Sequence, residues 1–365
     1  MLKAYKYKLK PTLEQEQLLL QTFGNCRYVY NRALNLKKTM YESDKTNLSW
    51  YDLMKILTQK KKKEWYEWLN LSSSIVLQSA ISNMDTAYKN FFRTKKWFPK
   101  FKSKHSSKDS FQIKQWTKID YSWNWVFIPK IWWVKLFKDR KIVWEIRTAT
   151  VSKQASGYYI SIVCEDGLEK KDTWWVGSVW IDLGIKDFLV TSDWVKIHNP
   201  KFLSNSQKLL RKHQRKLARQ NKGSKRIKKQ KQIIARLHEH ISNQRKDFLH
   251  KLSTVIAKQY DTICVEDLNV KGMMQNRYLS KAIWDVGWWM FCTMLKSKCN
   301  NVIAIGRFEP SSKLCNQCLR KNTELKLKDR TRKCWGCWVE HDRDVNAALN
   351  ILRLGAQVTD VKVNH

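Results

Sequence analysis

Two Cys-x-x-Cys pairs constrain this chain more strongly than any other feature. Cys315 and Cys318 form the first pair, Cys334 and Cys337 form the second, and fifteen residues separate the pairs. Two such knuckles at this spacing can place four thiolates tetrahedrally around one Zn²⁺. Because four cysteines complete the ligand shell, the spacing predicts a structural zinc site that performs no chemistry. The nearby His341 is then a structural residue or a nucleic-acid contact.

The excess of positive charge limits the kinds of partner. The 365 residues carry 70 Lys and Arg against 32 Asp and Glu, a formal net charge of +38. Self-repulsion of this size indicates an anionic partner, and nucleic acid is favoured over an acidic membrane surface. With 43% hydrophobic residues the chain can bury real cores, and its length is typical of two or three domains.

The distribution of apolar residues predicts a cytoplasmic protein with no membrane partner. No run approaches the roughly eighteen apolar residues of a membrane span, and the first residues lack the apolar core of a signal peptide. Disulfides are disfavoured in that compartment. We therefore expect buried, reduced thiols at the single cysteines Cys26, Cys164, Cys264, Cys292 and Cys299.

The N-terminal half combines helices with short strands. The first ten residues alternate like an edge strand, and Pro11-Thr12 then opens a helix with a loose apolar stripe that begins at Leu13. Further helices are expected near 51–63 and 73–92. Residues from about 111 to 164 are β-rich.

The C-terminal half follows a polar stretch at 165–173, which we interpret as a linker. Apolar strands are expected at 179–184 and near 260–265, the first paired with a second strand as a hairpin. A helix, another strand, the cysteine-rich insert and a last helix over about 345–354 complete this half. The order of elements predicts a mixed sheet covered by helices.

Three carboxylates stand at the ends of these elements. Asp182 and Glu266 end apolar strands, and Asp344 lies at the start of the final helix. Such carboxylates suit hard cations, and two Mg²⁺ ions about 4 Å apart could activate water and stabilise the leaving oxygen of a phosphodiester. Each acid alone also has a structural interpretation, an N-cap for Asp344 and an Asx turn for Asp182. The three together, in a basic chain with a zinc ribbon, favour the metal site.

Two basic segments are candidate nucleic-acid contacts. Residues 95–104 interleave cations with aromatic rings, which suits phosphate contact and base stacking, although a solvated loop is the alternative. Residues 208–236 hold thirteen Lys and Arg and no acid, which predicts two basic helices along a phosphate backbone rather than a merely solvated face. The predicted contacts are Lys95, Lys96, Lys100, Lys102, Lys104, Lys208, Arg211, Lys212, Arg215, Lys216, Arg219, Lys225 and Arg226.

Four motifs in this order resemble those of the TnpB family, transposon-encoded proteins related to the ancestors of type V CRISPR effectors. They are Trp180-Ile181-Asp182-Leu183-Gly184-Ile185-Lys186, Val265-Glu266-Asp267-Leu268-Asn269, Pro310-Ser311-Ser312-Lys313-Leu314-Cys315 and His341-Asp342-Arg343-Asp344-Val345-Asn346-Ala347-Ala348. The resemblance covers nearly the whole chain. It implies that Asp182, Glu266 and Asp344 are catalytic acids and that the four paired cysteines are zinc ligands.

The resemblance also implies an α+β multidomain fold. A split RNase H-like (RuvC) nuclease would carry a zinc ribbon inserted before its last acidic motif, behind an N-terminal half that is part β-barrel and part helical. The expected parts are a nucleic-acid-binding region at 1–172, the first nuclease part at 173–306, the ribbon at 307–340, and the last acidic motif with its helix at 341–365.

The function implied by the resemblance is that of an RNA-guided DNA endonuclease of transposon origin. Its partners would be a guide RNA made from the transposon end and double-stranded target DNA, and its cofactors would be structural zinc and catalytic magnesium. One alternative is a catalytically inactive DNA- or RNA-binding protein acting in transposition or as a repressor, against which the retention of all three acids argues. A strand-transferring transposase would need a distinct catalytic Tyr or Ser motif, and we see none.

Tryptophan is over-represented in this chain and glycine is scarce. There are 19 Trp and 11 Gly, together about 8% of the chain, whereas glycine alone normally makes up about 7%. Five tryptophans stand where the TnpB pattern has glycine: Trp97, Trp180, Trp194, Trp289 and Trp338. We predict that the source reads UGA as glycine, that this chain was translated with UGA as tryptophan, and that these five are glycine in the native protein.

Overall fold

The computed structural model describes residues 2–95, 97–104, 108–114, 117–137, 141–142, 144–165, 177–305, 313–322, 331–342, 345–347 and 349–350. The chain divides into two compact units, Met1–Leu168 and Glu169–His365. Each unit contains both helices and sheet, as expected for a mixed α and β protein. The predicted linker falls largely on residues 166–176, which lie outside the described ranges.

Unit 1 is built on a curled, antiparallel seven-stranded sheet, a half-barrel. Its strands are β1 (Leu2–Lys10), β2 (Ser110–Ile113), β3 (Ile119–Asp120), β4 (Trp125–Ile128), β5 (Trp132–Phe137), β6 (Ile146–Gln154) and β7 (Gly157–Glu165). They lie in the order β2-β6-β7-β1-β5-β4-β3.

The prediction that the first residues form an edge strand is wrong. Strand β1 lies between β7 and β5 and pairs with both. Its alternation separates two faces of the sheet, because Tyr5, Tyr7 and Leu9 are buried while the lysines between them are exposed. Lysine in this strand therefore marks the solvent face and not an open edge.

The helices of unit 1 supply the rest of its core. They are α1 (Leu13–Asp44), α2 (Trp50–Lys61), a 3-10 helix (Glu64–Leu71) and α3 (Ser74–Thr94), so the helices predicted near 51–63 and 73–92 are confirmed. Thr12 begins α1 with a capping box that includes Gln15. The apolar stripe starts later than predicted, because Leu13, in the first turn, is 81% exposed.

Unit 2 contains a mixed five-stranded sheet, as predicted. Its strands are β8 (Ser178–Leu183), β9 (Asp187–Thr191), β10 (Lys196–His198), β11 (Thr262–Glu266) and β12 (Asn301–Ile305), in the order β10-β9-β8-β11-β12. Strands β8, β9 and β10 are antiparallel neighbours, whereas β11 and β12 run parallel to β8. Sequence analysis had missed the three-residue strand β10.

In the described part of unit 2 the helices before the cysteine-rich region are α4 (Phe202–Ala218), α5 (Lys225–Gln259), α6 (Val270–Met273), α7 (Ser280–Val286) and α8 (Trp288–Lys298). One face of the sheet packs on them, since Ile181 and Val265 share a core with Phe291. The two predicted basic helices are confirmed as α4 and α5. The side-chain amide of Gln230 joins them by donating to the His213 carbonyl oxygen at 3.1 Å.

The cysteine-rich region forms a small hairpin of β13 (Thr331–Lys333) and β14 (Glu340–Asp342). Residues 345–347 and 349–350 are helical, which agrees with the start of the predicted last helix, and its remainder lies outside the described residues. Among the helices described, none combines the length and the apolar character needed to cross a bilayer.

Candidate functional site

Asp182 and Glu266 lie on neighbouring parallel strands. Strands β8 and β11 align from Ser178 with Thr262 to Ile181 with Val265, and the next step of this register sets Asp182 beside Glu266. Aligned residues of parallel strands project to the same face, and neighbouring strands are about 4.8 Å apart. The structure therefore brings two of the three predicted acids together, both half-buried, at the carboxyl ends of their strands.

The turn after β8 explains why the strand stops just past Asp182. A Cβ atom on Gly184 would lie 2.6 Å from the backbone oxygen of Asp187, a distance that real Cβ atoms do not adopt. The Gly184 amide donates to the Phe188 carbonyl oxygen at 3.2 Å and closes the hairpin. Glycine at this position thus allows β8 to turn sharply while its last carboxylate stays at the strand end.

The third predicted acid, Asp344, lies outside the described residues, but Asp342 is described. The Lys196 ammonium contacts Asp342 Oδ2 at 2.5 Å. Lys196 aligns with Val190 on β9, and Val190 aligns with Asp182 on β8, so Lys196 and Asp182 share one face of the sheet. The segment that leads to Asp344 is thereby tied to the face that carries the other two acids.

Asp342 also caps the last helical segment. Its Oδ1 accepts from the Val345 amide at 3.3 Å, the pattern of an N-cap residue. The N-cap and metal-binding interpretations of Asp344 both stay predictions, because Asp344 lies outside the described residues.

An open cavity of about 270 Å³ lies at the end of β11. Glu266 and Asp267 line it together with Thr293 and Lys296 of α8. Most of its remaining lining is apolar and includes Leu183 and Val265 of the helix-covered core, so the carboxylates share the cavity with apolar side chains and with the cation of Lys296. Sequence analysis had missed Lys296 because it belongs to no motif. It lies at the cavity only because α8 packs there.

The four paired cysteines converge as predicted. Their sulfur atoms all lie within 4.8 Å of one another, with Cys315 and Cys337 at 3.6 Å and Cys318 and Cys334 at 3.6 Å. A tetrahedron with Zn–S bonds of about 2.3 Å has edges of about 3.8 Å. The cluster therefore fits Zn²⁺, and four thiolates leave no open coordination position for catalysis.

Both knuckles share one backbone geometry. The amide of Leu319 donates to the Cys315 carbonyl oxygen at 2.9 Å, and the amide of Trp338 donates to the Cys334 carbonyl oxygen at 2.8 Å. Leu319 and Trp338 both adopt the left-handed conformation, at φ 63° and 62°. His341 is buried with its Nε2 atom 3.0 Å from Cys315 Sγ, so it is a structural residue that supports a ligand.

The single cysteines are poor metal ligands. Burial raises the pKa of the Cys26 and Cys264 thiols to about 12, and it also raises the pKa of Cys164 and of Cys292. A thiol with so high a pKa stays neutral at physiological pH, whereas metals bind the thiolate. Cys26, Cys164, Cys264 and Cys299 are buried as predicted, whereas Cys292 is only half-buried.

We predict one tightly bound zinc per chain. Removing it with a chelator should unfold the cysteine-rich region, because metal-binding energy is folding energy in such ribbons. Elemental analysis of freshly purified protein measures the zinc, and Cys318→Ser should lower both zinc content and soluble yield. Cys292→Ser, outside the cluster, is the matched control. Freshly purified protein without zinc would contradict the prediction.

One face of α4 collects six of the predicted nucleic-acid contacts. All six are exposed, and we call them the basic face of α4: Lys208, Arg211, Lys212, Arg215, Lys216 and Arg219. Spacings of three and four residues place them on the same side of the helix. Lys225 and Arg226, at the start of α5, are also exposed.

The cations of segment 95–104 differ in their surroundings. Lys95 ends α3, and Lys100 and Lys104 are exposed. Lys102 is held against unit 1 by two hydrogen bonds between its backbone and Asn31, and its ammonium lies 4.1 Å from the centre of the Tyr30 ring. Burial lowers the pKa of Lys102. Lys96 lies outside the described residues.

The fold and the site define a basic α+β protein with paired strand-end carboxylates, a four-cysteine cluster and a basic helix face. Comparison with known proteins agrees: the chain belongs to the TnpB family. A family model described as "Probable transposase" matches residues 165–277, and one described as "Cas12f1-like, TNB domain" matches residues 288–351. A "Helix-turn-helix domain" model matches residues 1–46, which here form strand β1, helix α1 and the start of the following loop.

Two relatives are similar over nearly their whole length. A "Putative RNA-guided DNA endonuclease" of Streptomyces pristinaespiralis is 35% identical, covering 97% of this chain and 89% of the relative. InsQ of Escherichia coli K12, which has the same description, is 31% identical, covering 98% and 93%. In fold, the chain resembles Cas12f1 in its complex with sgRNA and target DNA, with a TM-score of 0.56 at 14% identity over 96% of this chain and 98% of that one.

Proposed function

We propose that this protein is an RNA-guided DNA endonuclease that hydrolyses phosphodiester bonds with Mg²⁺. The observation that carries the proposal is the alignment of Asp182 with Glu266 at the ends of two parallel strands, on the face to which Lys196 and Asp342 tie the segment before Asp344. The names of the two relatives support the guide RNA and the DNA target.

The roles of the residues follow from their chemistry. Asp182, Glu266 and Asp344 hold the cations, because carboxylate oxygens are the ligands that Mg²⁺ prefers. When bound, Mg²⁺ supplies Lewis acidity and activates water at neutral pH, so that hydrolysis needs no covalent intermediate. Lys296 lies at the cavity beside Glu266, where its charge favours a phosphodiester.

The domain scheme belongs to the same proposal. The RNase H-like (RuvC) nuclease comprises 173–306 and 341–365, the zinc ribbon comprises 307–340, and 1–172 binds nucleic acid. The division of the chain after Leu168 and the five-stranded mixed sheet support this arrangement. Structural zinc in the ribbon is supported by the spacing of the four sulfur atoms.

The test of the proposed function is reconstitution beside the protein's own transposon end. We expect one defined, structured RNA to copurify in stoichiometric amount, and the complex to cut double-stranded DNA that matches the guide when Mg²⁺ is present. Copurification of that RNA without cleavage would favour the catalytically inactive binding protein. The absence of any defined RNA would contradict the guided mechanism.

We also predict that the basic face of α4 contacts phosphates. Without a guide, the protein should bind nucleic acid with steep salt dependence, and changing its six cations to Gln should reduce the log–log salt slope by about six. The control removes six exposed lysines of unit 2 that are not predicted contacts, Lys201, Lys246, Lys251, Lys258, Lys271 and Lys281, which changes the net charge equally. Equal slopes for both variants would mean that the basic face of α4 is a solvated helix face.

A further inference from the structure

We propose that Asn346 is a positioning residue that connects the zinc knuckle to the acidic site. Asn346 lies two residues after Asp344 in the sequence and is 1% exposed. Its side chain makes two hydrogen bonds to the backbone on either side of Cys315. The inference rests on the proposed function, in which Asp344 holds the catalytic cation.

The two bonds of Asn346 form a clamp on the first knuckle. Its Nδ2 donates to the Leu314 carbonyl oxygen at 2.6 Å, and its Oδ1 accepts from the Asn316 amide at 2.9 Å. Both the donor and the acceptor of the side-chain amide are thus used. Asn350, one helical turn further on and equally buried, donates to the same Leu314 oxygen at 2.7 Å.

The opposite side of Asp344 is anchored as well. Asp342 is held by Lys196 on the sheet and caps Val345, so Asp344 lies in sequence between two anchored residues. One anchor is the sheet with Asp182 and Glu266, and the other is the knuckle that Cys315 ties to the zinc ligands. Because the residues on both sides of Asp344 in the sequence are anchored, our proposal is that less conformational entropy is lost when Asp344 binds a cation.

The consequence is that the zinc centre sets the affinity of the acidic site for its own cation. Partners that orient a metal ligand typically change metal affinity by about 10-fold to 100-fold when they are mutated. Asn346 does not bind the metal itself, because its side-chain nitrogen is hydrogen-bonded to Leu314 and its side-chain oxygen to Asn316. Its effect on the acidic site is therefore exerted through position.

The experiment measures Mn²⁺ binding to the zinc-loaded full-length protein by calorimetry, with Mn²⁺ in place of Mg²⁺. Asn346→Ala should weaken Mn²⁺ binding by about 10-fold or more while zinc content stays at one per chain. Raised Mn²⁺ should restore cleavage by this variant. Asn316→Ala is the matched control, because the bond to Asn346 uses the Asn316 backbone amide and survives the substitution.

A second variant tests whether a general loss of folding explains the weaker Mn²⁺ binding. Asn350→Ala removes one of the two side-chain donors to Leu314 and leaves the Asn346 clamp in place, so we expect a smaller loss of Mn²⁺ affinity. Unchanged Mn²⁺ affinity in Asn346→Ala with zinc retained would overturn the inference, as would equal losses in Asn346→Ala and Asn316→Ala. Failure of wild-type protein to cut DNA would instead count against the proposed function, since Mn²⁺ binding is measured without cleavage.

Discussion

We expect Asp182→Ala, Glu266→Ala and Asp344→Ala each to abolish DNA cleavage and to leave RNA and DNA binding nearly intact. In the proposed function these carboxylates hold the cations that stabilise the transition state and do not hold the guide. A cation at a phosphoryl oxygen contributes several kcal/mol of transition-state stabilisation, so the expected loss of rate is about 10³-fold or more. Cleavage is measured under single-turnover conditions, and binding is measured separately by filter retention.

The control for these variants is a carboxylate of the same hairpin. Asp187 lies five residues after Asp182 and contacts His198 Nδ1 at 2.5 Å. Asp187→Asn should therefore leave the cleavage rate within a few-fold of wild type. If a triple variant of the three acids still cut DNA at the normal rate, the two-metal assignment would be wrong.

Trp194→Gly and Trp338→Gly together raise the free energy of unfolding of the chain as written by about 1 to 2 kcal/mol, and this is the second large expected effect. Both residues adopt the left-handed conformation, at φ 64° and 62°. They are 65% and 71% exposed, so removing the indoles sacrifices little packing. Glycine adopts this conformation freely, and a residue with a Cβ atom does not.

Two comparisons isolate the backbone contribution in denaturant unfolding. Trp194→Ala with Trp338→Ala removes the same indoles but keeps the Cβ atoms, so it should not stabilise. Trp65→Gly removes an 86% exposed indole at a position where φ is not positive, and it should destabilise the protein. Equal stability of the glycine and alanine pairs would contradict the backbone argument.

At Trp180 the support for a native glycine comes from burial and not from the backbone conformation. Its indole is 2% exposed, and within the part of the chain that the structure describes its Nε1 has no hydrogen-bond partner. A buried donor without a partner costs about 1–3 kcal/mol. Mass spectrometry of the native protein decides the question of UGA decoding, since tryptophan found at Trp180 and Trp338 would end the proposal.

The structure adds one candidate for glycine, and it supports neither Trp97 nor Trp289 by backbone conformation or by burial. Trp132 has φ 68° and is 67% exposed, a signature of glycine that the sequence analysis missed because it had not assigned a turn before β5. Trp97 and Trp289 are exposed and have no positive φ. For these two, glycine remains a prediction from the TnpB pattern.

Short-range patterns were sufficient for much of this protein. The apolar strands β8 and β11, the helices α2 to α5 and the four-cysteine cluster all follow from residue types within a few positions of one another. Periodicity identifies such elements because helix and strand expose their faces at fixed intervals. The spacing of two Cys-x-x-Cys pairs likewise determines a local ligand geometry.

Long-range pairing was decided only by the tertiary structure. Whether β1 lies at the edge or the centre of its sheet depends on β5 and β7, and the attachment of Lys102 depends on Asn31, 71 residues away. The contact between Lys196 and Asp342 spans 146 residues. Such contacts produce no periodic pattern in the sequence, because each partner taken alone is of a residue type that is common on any protein surface. The acids could therefore be predicted from their strands, but the contacts that hold them in place could not.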